Sequence, residues 1–356
     1  MALSYSQQPI DPDLSEELAD LVRHLPTLKH GKWIKRALEV LVRMSDEEID
    51  RLDWKILTAS LEDLERGFQT FYPYRHTRKV TIFGSARILP SSTGYQLAVD
   101  FARRVTQLGF MVLTGAGGGI MQAGNEGAGR SHSFGLNIDL PFEQDANPYI
   151  SGDPKLINFK YFFTRKLFFL RESDVVALFP GGFGTQDEAF ETLTLCQTGK
   201  YGPAPLLLID EPGADYWLTW QQQILDNLQV RGLISPEDTQ LYTITDNLDV
   251  ACEIIQNFYK IYHSSRYVGD LFVMRLNQEL TDEQVELLND KFSDILVSGK
   301  FEKSKALPKE VNDATIHLPR LVFHFNQRNF GRLYELINQI NQCEASCFVE
   351  PHPELK

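Results

Sequence analysis

Three short apolar runs in the middle of this chain each end in a glycine-containing turn. VTIFG (80–84) leads into FGSAR, FMVLTG (110–115) into TGAGGG, and DVVALFPGG (174–182) into FPGGFGT. Two further runs, SFGLNIDL (133–140) and PLLLID (205–210), share the β-rich character of the first three and likewise alternate with helical stretches. Alternation of this kind predicts an α/β fold in which a parallel sheet is wrapped by helices. Open sheets of that class place ligands beyond the carboxyl ends of their strands, so the glycine turns mark one edge of the sheet as the candidate site.

The flanking segments read differently. Residues 14–74 are helical in pattern, with Leu57, Leu61, Leu64, Phe68 and Phe71 recurring at spacings of three and four, and Ser45 with Glu48 at the spacing of a capping box. After a helical stretch at 250–262 the order restarts with a strand-like DLFVMRL (270–276) and a helix opened by Thr281 and Gln284 that carries Val285, Leu288, Phe292 and Ile295. A strand near LVFHF (321–325) and a last helix at 331–340 complete a small α+β unit. The chain has 356 residues, more than the roughly 100–200 usual for one domain. It divides into a helical N-terminal segment (1–76), a central α/β domain (77–263) and a small α+β accessory domain (264–356), with no internal repeat or low-complexity tract.

Composition removes several classes. The 43% hydrophobic and 23% charged content is that of a folded globular chain. A net charge of −13, with acid exceeding base in all three segments, disfavours a nucleic-acid partner, which needs a lysine and arginine footprint. Four cysteines make no disulfide framework, and the opening MALSYSQQPIDPDLSEELAD has neither a basic nor an apolar region of a secretion signal. The longest uninterrupted apolar runs, such as 175–179 and 206–209, fall far short of the ~20 residues that span a bilayer. The expectation is a cytoplasmic protein with no membrane partner.

The strongest chemical signal is Pro180-Gly181-Gly182-Phe183-Gly184-Thr185-Gln186-Asp187-Glu188, set between an apolar strand and a helix. Its glycines let backbone approach an anion, the helix start presents unpaired N–H groups, and Thr185 adds a hydroxyl. Asp187 and Glu188 put acid beside that anion site. For an arbitrary pair the plain reading is an offset of the helix dipole, but the surrounding glycines point to a functional role for one of them. The second turn, Thr114-Gly115-Ala116-Gly117-Gly118-Gly119-Ile120-Met121, fails the G-x-G-x-x-G fingerprint at Ile120, and no Walker-type G-x-x-x-x-G-K-[ST] is present. NAD and Walker-type ATP binding are therefore poorly supported, and glycines 117–119 have close packing as their alternative role. Third comes Phe162-Phe163-Thr164-Arg165-Lys166, where the adjacent cations must point in different directions if the stretch is helical. Other constellations carry less. Phe83 occupies the first glycine position of a nucleophile elbow, and there is no H-E-x-x-H. Cys343 and Cys347 with His352 match no common zinc spacing, His317 and His324 read as edge or core histidines, and Trp217 and Trp220 read as helix-packing aromatics.

Taken together, FGSAR, TGAGGGIMQAGNEGA, FFTRK and PGGFGTQDE, in this order and at these separations, resemble the LOG (Lonely guy) family of nucleoside 5′-monophosphate phosphoribohydrolases, formerly labelled lysine decarboxylases. The resemblance covers about residues 79–262 and rests on the PGGxGTxxE signature. It implies a Rossmann-like fold, usually built on a dimer, that cleaves the N-glycosidic bond of a purine nucleoside 5′-monophosphate to free base and ribose 5-phosphate, with no metal or redox cofactor. Carried over by position, the catalytic residues fall on Arg165 and Glu188. Lys166, the loop residues Gly181, Gly182, Gly184 and Thr185, and Gly118 and Gly119 fall in the phosphate site, while Gly84 and Ser85 line the nucleotide. The substrate implied is AMP or an N6-modified AMP such as a cytokinin riboside 5′-monophosphate. Two other readings stay open: a non-catalytic nucleotide or molybdenum-cofactor-type carrier on the same fold, and an accessory domain that senses a second ligand.

Overall fold

The computed structural model describes residues 12–140, 145–310 and 314–342. Residues up to Leu61 and residues from Glu62 onward form two compact units. The first contains helices α1 (Pro12–His24) and α2 (Gly31–Ser45) and the opening of α3 (Arg51–Phe71). The expected capping role of Ser45 does not occur. Ser45 is the last residue of α2, its hydroxyl donates back to the Val42 carbonyl at 2.7 Å, and α3 begins only at Arg51. A serine hydroxyl can close the preceding turn as readily as open the next, and here it does the former.

The second unit is built on seven parallel strands: β1 (Lys79–Phe83), β2 (Met111–Thr114), β3 (Ser133–Ile138), β4 (Leu156–Phe159), β5 (Val175–Leu178), β6 (Leu206–Ile209) and β7 (Thr243–Thr245). Their order is β4-β3-β2-β1-β5-β6-β7. The chain thus moves outward from β1 to β4 and then returns to place β5 on the other side of β1, which makes the β1/β5 boundary the topological switch point. Helices α4 (Thr93–Gln107), α5 (Ile120–Ala128), α6 (Phe162–Arg171), α7 (Phe183–Gln197), α8 (Tyr216–Ile224) and α9 (Leu248–Phe258) accompany the strands.

Both faces of the sheet are covered, which is why its central strands are apolar without alternation. On one face Val80, Ile82 and Val112 pack with Phe101 and Val105 of α4, Ile120 of α5 and Ile255 of α9. On the other, Phe83, Leu113, Leu136 and Leu178 pack with Phe168 and Phe169 of α6, Ala189 of α7 and Trp217 of α8. As expected, Trp217 and Trp220 pack a helix, with rings edge to face at 5.8 Å.

A second, antiparallel sheet follows, made from β8 (Tyr262–Val268), β9 (Leu271–Leu276), β10 (Leu296–Ser304) and β11 (Arg320–Phe325) in the order β10-β11-β9-β8. One face is covered by α10 (Asp282–Phe292) and α11 (Phe330–Asn341), with Met274, Leu321 and Phe323 against Leu288, Leu333 and Ile337. The capping box expected at Thr281 is formed: its hydroxyl accepts from Gln284 N–H at 3.2 Å, and the Gln284 side chain accepts from Thr281 N–H at 2.8 Å. His324 lies half-buried on β11. Cys343, Cys347 and His352 lie outside the described residues. Among the described residues no helix is long and apolar enough to cross a membrane.

Asn341, buried at the end of α11, locks this sheet to α9. Its Oδ1 accepts from Ile261 and Tyr262 N–H at 2.8 and 2.9 Å, and its Nδ2 donates to the Phe258 carbonyl at 2.7 Å. Asn341→Ala would leave three buried backbone groups unpaired and is expected to destabilise by about 2–4 kcal/mol. A clear fall in the urea midpoint checks this, and an unchanged midpoint would contradict it.

Candidate active site

A cleft of about 860 Å³ opens beyond the carboxyl ends of β1 and β5, at the switch point. Its floor is made by two loops held together. Ser85, after β1, donates its N–H to the Pro180 carbonyl after β5 at 3.1 Å, and accepts at its own carbonyl from Ile120 N–H at 3.0 Å. That close approach explains the glycines. A side chain on Gly119, which has φ +61°, would run into the Ser85 carbonyl, and one on Gly84 would run into Ile120. Gly84, Ser85, Gly181, Gly182, Gly184 and Thr185 all line the cleft. Gly118 and Gly119 do not stand among its lining residues; Gly119 sits against the Ser85–Ala86 backbone, the packing role open to it from sequence.

Gly182 caps α7 without a side chain, and the first N–H groups of α7 therefore have no intrahelical or side-chain acceptor. Together with the helix dipole they make the cleft end of α7 attractive to an anion. Tyr216 braces this turn from α8: its hydroxyl donates to the Gly181 carbonyl at 2.5 Å and accepts from Gln186 Nε2 at 2.7 Å.

Arg165 and Glu188 meet in the same cleft, one from α6 and one from α7. The guanidinium is fixed by donation from Nε to the Leu136 carbonyl (2.7 Å) and from Nη2 to the Gly115 carbonyl (3.2 Å), and it lies 5.1 Å from the Phe169 ring. Gly115 has to be glycine for this, because a Cβ there would strike Arg165 Nη2 and Met121. Burial pulls the Arg165 pKa down to about 10, against the attraction of Glu188, so it remains charged at neutral pH. Glu188 is 8% exposed, and its Oε2 is buried without a hydrogen-bond partner. Burial raises its pKa from 4.5 to about 7, with Lys166 and Arg165 opposing the rise and Glu191 and Asp187 adding to it. A carboxylate held at that pKa can take or give a proton near neutrality.

Lys166 takes a different direction from Arg165, as adjacent helical residues must. Its Nζ lies 2.8 Å from Asp187, 2.5 Å from Glu191 and 3.9 Å from Glu188, so it balances the acidic side of α7 and is not among the residues lining the cleft. Burial would lower its pKa, but the bonds to Asp187 and Glu191 prevail and raise it. Among the described residues, no group of three or more His, Cys, Asp or Glu side chains is arranged to hold a metal ion.

Two contributors escape a reading of the sequence. Arg87 lines the cleft, exposed and without a carboxylate partner among the described residues. It was visible within FGSAR but carried no distinguishing signal. Asp63, on α3 and fully buried, supplies the start of α6 from nearly a hundred residues away. It accepts from Lys160 N–H (3.0 Å), Tyr161 N–H (3.3 Å) and the Thr164 hydroxyl (2.6 Å), replacing the side-chain cap that Tyr161 lacks.

Residues 118–255 match the model of a family described as possible lysine decarboxylase, the label formerly attached to the resemblance drawn above. Among solved structures, the molybdenum cofactor binding protein of Rippkaea orientalis is 19% identical, with 51% of this chain and 96% of that one covered at a TM-score of 0.36. The molybdenum cofactor carrier protein of Chlamydomonas reinhardtii is 17% identical (51% and 97% covered, TM-score 0.36). DNA processing protein A of Helicobacter pylori is 15% identical (50% and 80% covered, TM-score 0.36). No curated protein matches the chain.

Two outcomes are expected. Asp63→Asn should destabilise the fold by about 1–3 kcal/mol, since it weakens the acceptor that holds the buried start of α6; an unchanged urea midpoint would contradict this. The second concerns the pH dependence of stability. Folded Glu188 holds its proton more tightly than the unfolded chain, so its contribution is complete below pH 4.5 and is lost as pH rises through 7. Glu188→Gln should therefore match wild type near pH 4 and exceed it above pH 7 by about 3 kcal/mol, measurable by denaturant unfolding at both pH values.

Proposed function

We propose that this chain is a nucleoside 5′-monophosphate phosphoribohydrolase that hydrolyses the N-glycosidic bond of AMP or an N6-modified AMP. The observation that carries the reading is the buried Glu188 carboxyl, one oxygen of which has no hydrogen-bond partner, beside the fixed Arg165 guanidinium, in a cleft that also offers the uncapped start of α7 to a phosphate. A binder of anions has no evident use for a poised carboxyl there. A hydrolase does.

The 5′-phosphate sits against the N–H groups at Gly182–Thr185 and the Thr185 hydroxyl, with Arg87 at the rim as a further cation. The exposed rings of Phe162 and Phe183 at the mouth offer apolar faces to a purine. Cleavage breaks the bond between C1′ and the base nitrogen and forms one between C1′ and a water oxygen. The base leaves with its bonding electrons and takes up a proton, while the water loses one. The transition state carries oxocarbenium character, which a nearby carboxylate stabilises. Glu188 serves as the proton acceptor or donor, and Arg165 offsets negative charge developing on the departing base.

Incubation with AMP, GMP, CMP and a prenylated AMP, with free base followed by chromatography, tests this. Release is expected from the adenine nucleotides, with kcat/KM changing about pH 7, and Glu188→Gln is expected to lose ~100-fold or more while still folding. Undiminished release by that variant removes Glu188 from the mechanism. No release from any nucleotide, with binding intact, replaces the hydrolase by a carrier.

A further inference from the structure

A second cavity, about 420 Å³, opens at the opposite end of the parallel sheet. It is lined by Arg78, Asp174 and Ala204, which lie just before β1, β5 and β6, whereas the candidate active site lies just after β1 and β5. The turn from Gly199 to Ala204 forms a second wall, and Tyr262, His263, Ser264 and Ser265 of β8 form a third. The two cavities share no lining residue.

The charge of this cavity runs against that of the chain. In a protein of net −13, its charged lining residues are Arg78, Arg171 and Lys200 against Asp174, with Glu172, beside the lining, paired to Arg171. The active-site cleft is balanced, with Arg87 and Arg165 facing Asp187 and Glu188. Asp174 is already engaged: it accepts from Lys79 N–H at 2.9 Å and from Arg78 Nη1 at 3.2 Å. Arg78 is held in place by stacking at 3.6 Å on the Tyr259 ring and by donation to the His263 carbonyl at 3.1 Å. Lys200 is exposed and has no carboxylate partner among the described residues. Burial, and to a lesser degree the nearby Arg78, Arg275, Arg320 and His317, hold the His263 pKa below its ordinary value.

We infer that this cavity is a second ligand site, distinct from the active site, that takes a small phosphorylated anion, with Arg78 as the fixed cation, Lys200 as the exposed unpaired one and Arg171, which pairs with Glu172 and lies 5.1 Å from the Phe68 ring, as a third. Its volume suits a ligand between pyrophosphate and a sugar phosphate in size. The site does not depend on the hydrolase reading, because binding is read without turnover.

The test is calorimetric titration of the full chain with inorganic pyrophosphate on a Gly182→Asp background, which puts a carboxylate into the active-site cleft at a position where a Cβ meets nothing. One equivalent is expected to bind. Adding Arg171→Glu and Lys200→Glu, both at exposed positions, should weaken it at least tenfold. The control pair Lys300→Glu and Lys305→Glu, equal in charge and likewise exposed, should leave it within twofold. Absence of binding to the Gly182→Asp chain, or equal behaviour of the two charge-reversed pairs, would overturn the assignment.

Discussion

The hydrogen bond from Ser85 N–H to the Pro180 carbonyl joins the loops that follow β1 and β5, and the site depends on that junction. Parallel strands leave the sheet at the same end, but their loops diverge at a topological switch point and open a crevice. Here the two loops are drawn back together at the floor of the crevice, and three glycines supply the clearance this takes. Gly84 makes room for Ile120, Gly119 for the Ser85 carbonyl and Gly181 for Thr185. With the floor fixed in this way, the start of α7 and the first turn of α6 face one another across the cleft. Glu188 and Arg165 then meet without a direct hydrogen bond between them.

The site is costly to the fold, and the cost is local. Glu188 is buried with one oxygen unpartnered, and four other charges act on it: Lys166, Glu191, Arg165 and Asp187. Lys166 keeps the acidic turn of α7 in balance while leaving Glu188 itself loosely held, 3.9 Å away. Arg165 is desolvated too, and its position is secured by two backbone carbonyls and by the space left at Gly115. Such an arrangement favours a carboxyl that changes charge near neutral pH over one permanently ionised by a tight salt bridge.

Much of this was legible in sequence because the determinants are local. The central strands are apolar runs buried on both faces, and the PGGFGT and FFTRK stretches announce a strand-turn-helix and a cationic helix start. The α/β class, the order of elements and the loaded sheet edge follow from them. Strands β4, β7, β8 and β10 lacked such signals: all four lie at sheet edges with partly exposed faces, and YHSSRYV and LVSGKFEKS are polar where one side meets solvent. Asp63 was invisible for another reason. Its role is to cap a helix that begins about a hundred residues later, and no spacing in the chain records that pairing. Arg87 and Gly115 stood inside quoted motifs, yet only the packing separates the cation and the clearance they supply from incidental neighbours. Ser45 shows the converse, a local pattern with two physical outcomes between which the spacing does not choose.

The most direct measurement is a carboxyl NMR titration of the protein labelled with 13C at the glutamate side-chain carboxyls, compared with Glu188→Gln. One resonance is expected to titrate at about pH 7, well above the others, and to vanish in the variant. If every glutamate titrates below about pH 5, or if the high-pH resonance survives in Glu188→Gln, the poised carboxyl at the centre of this site does not exist.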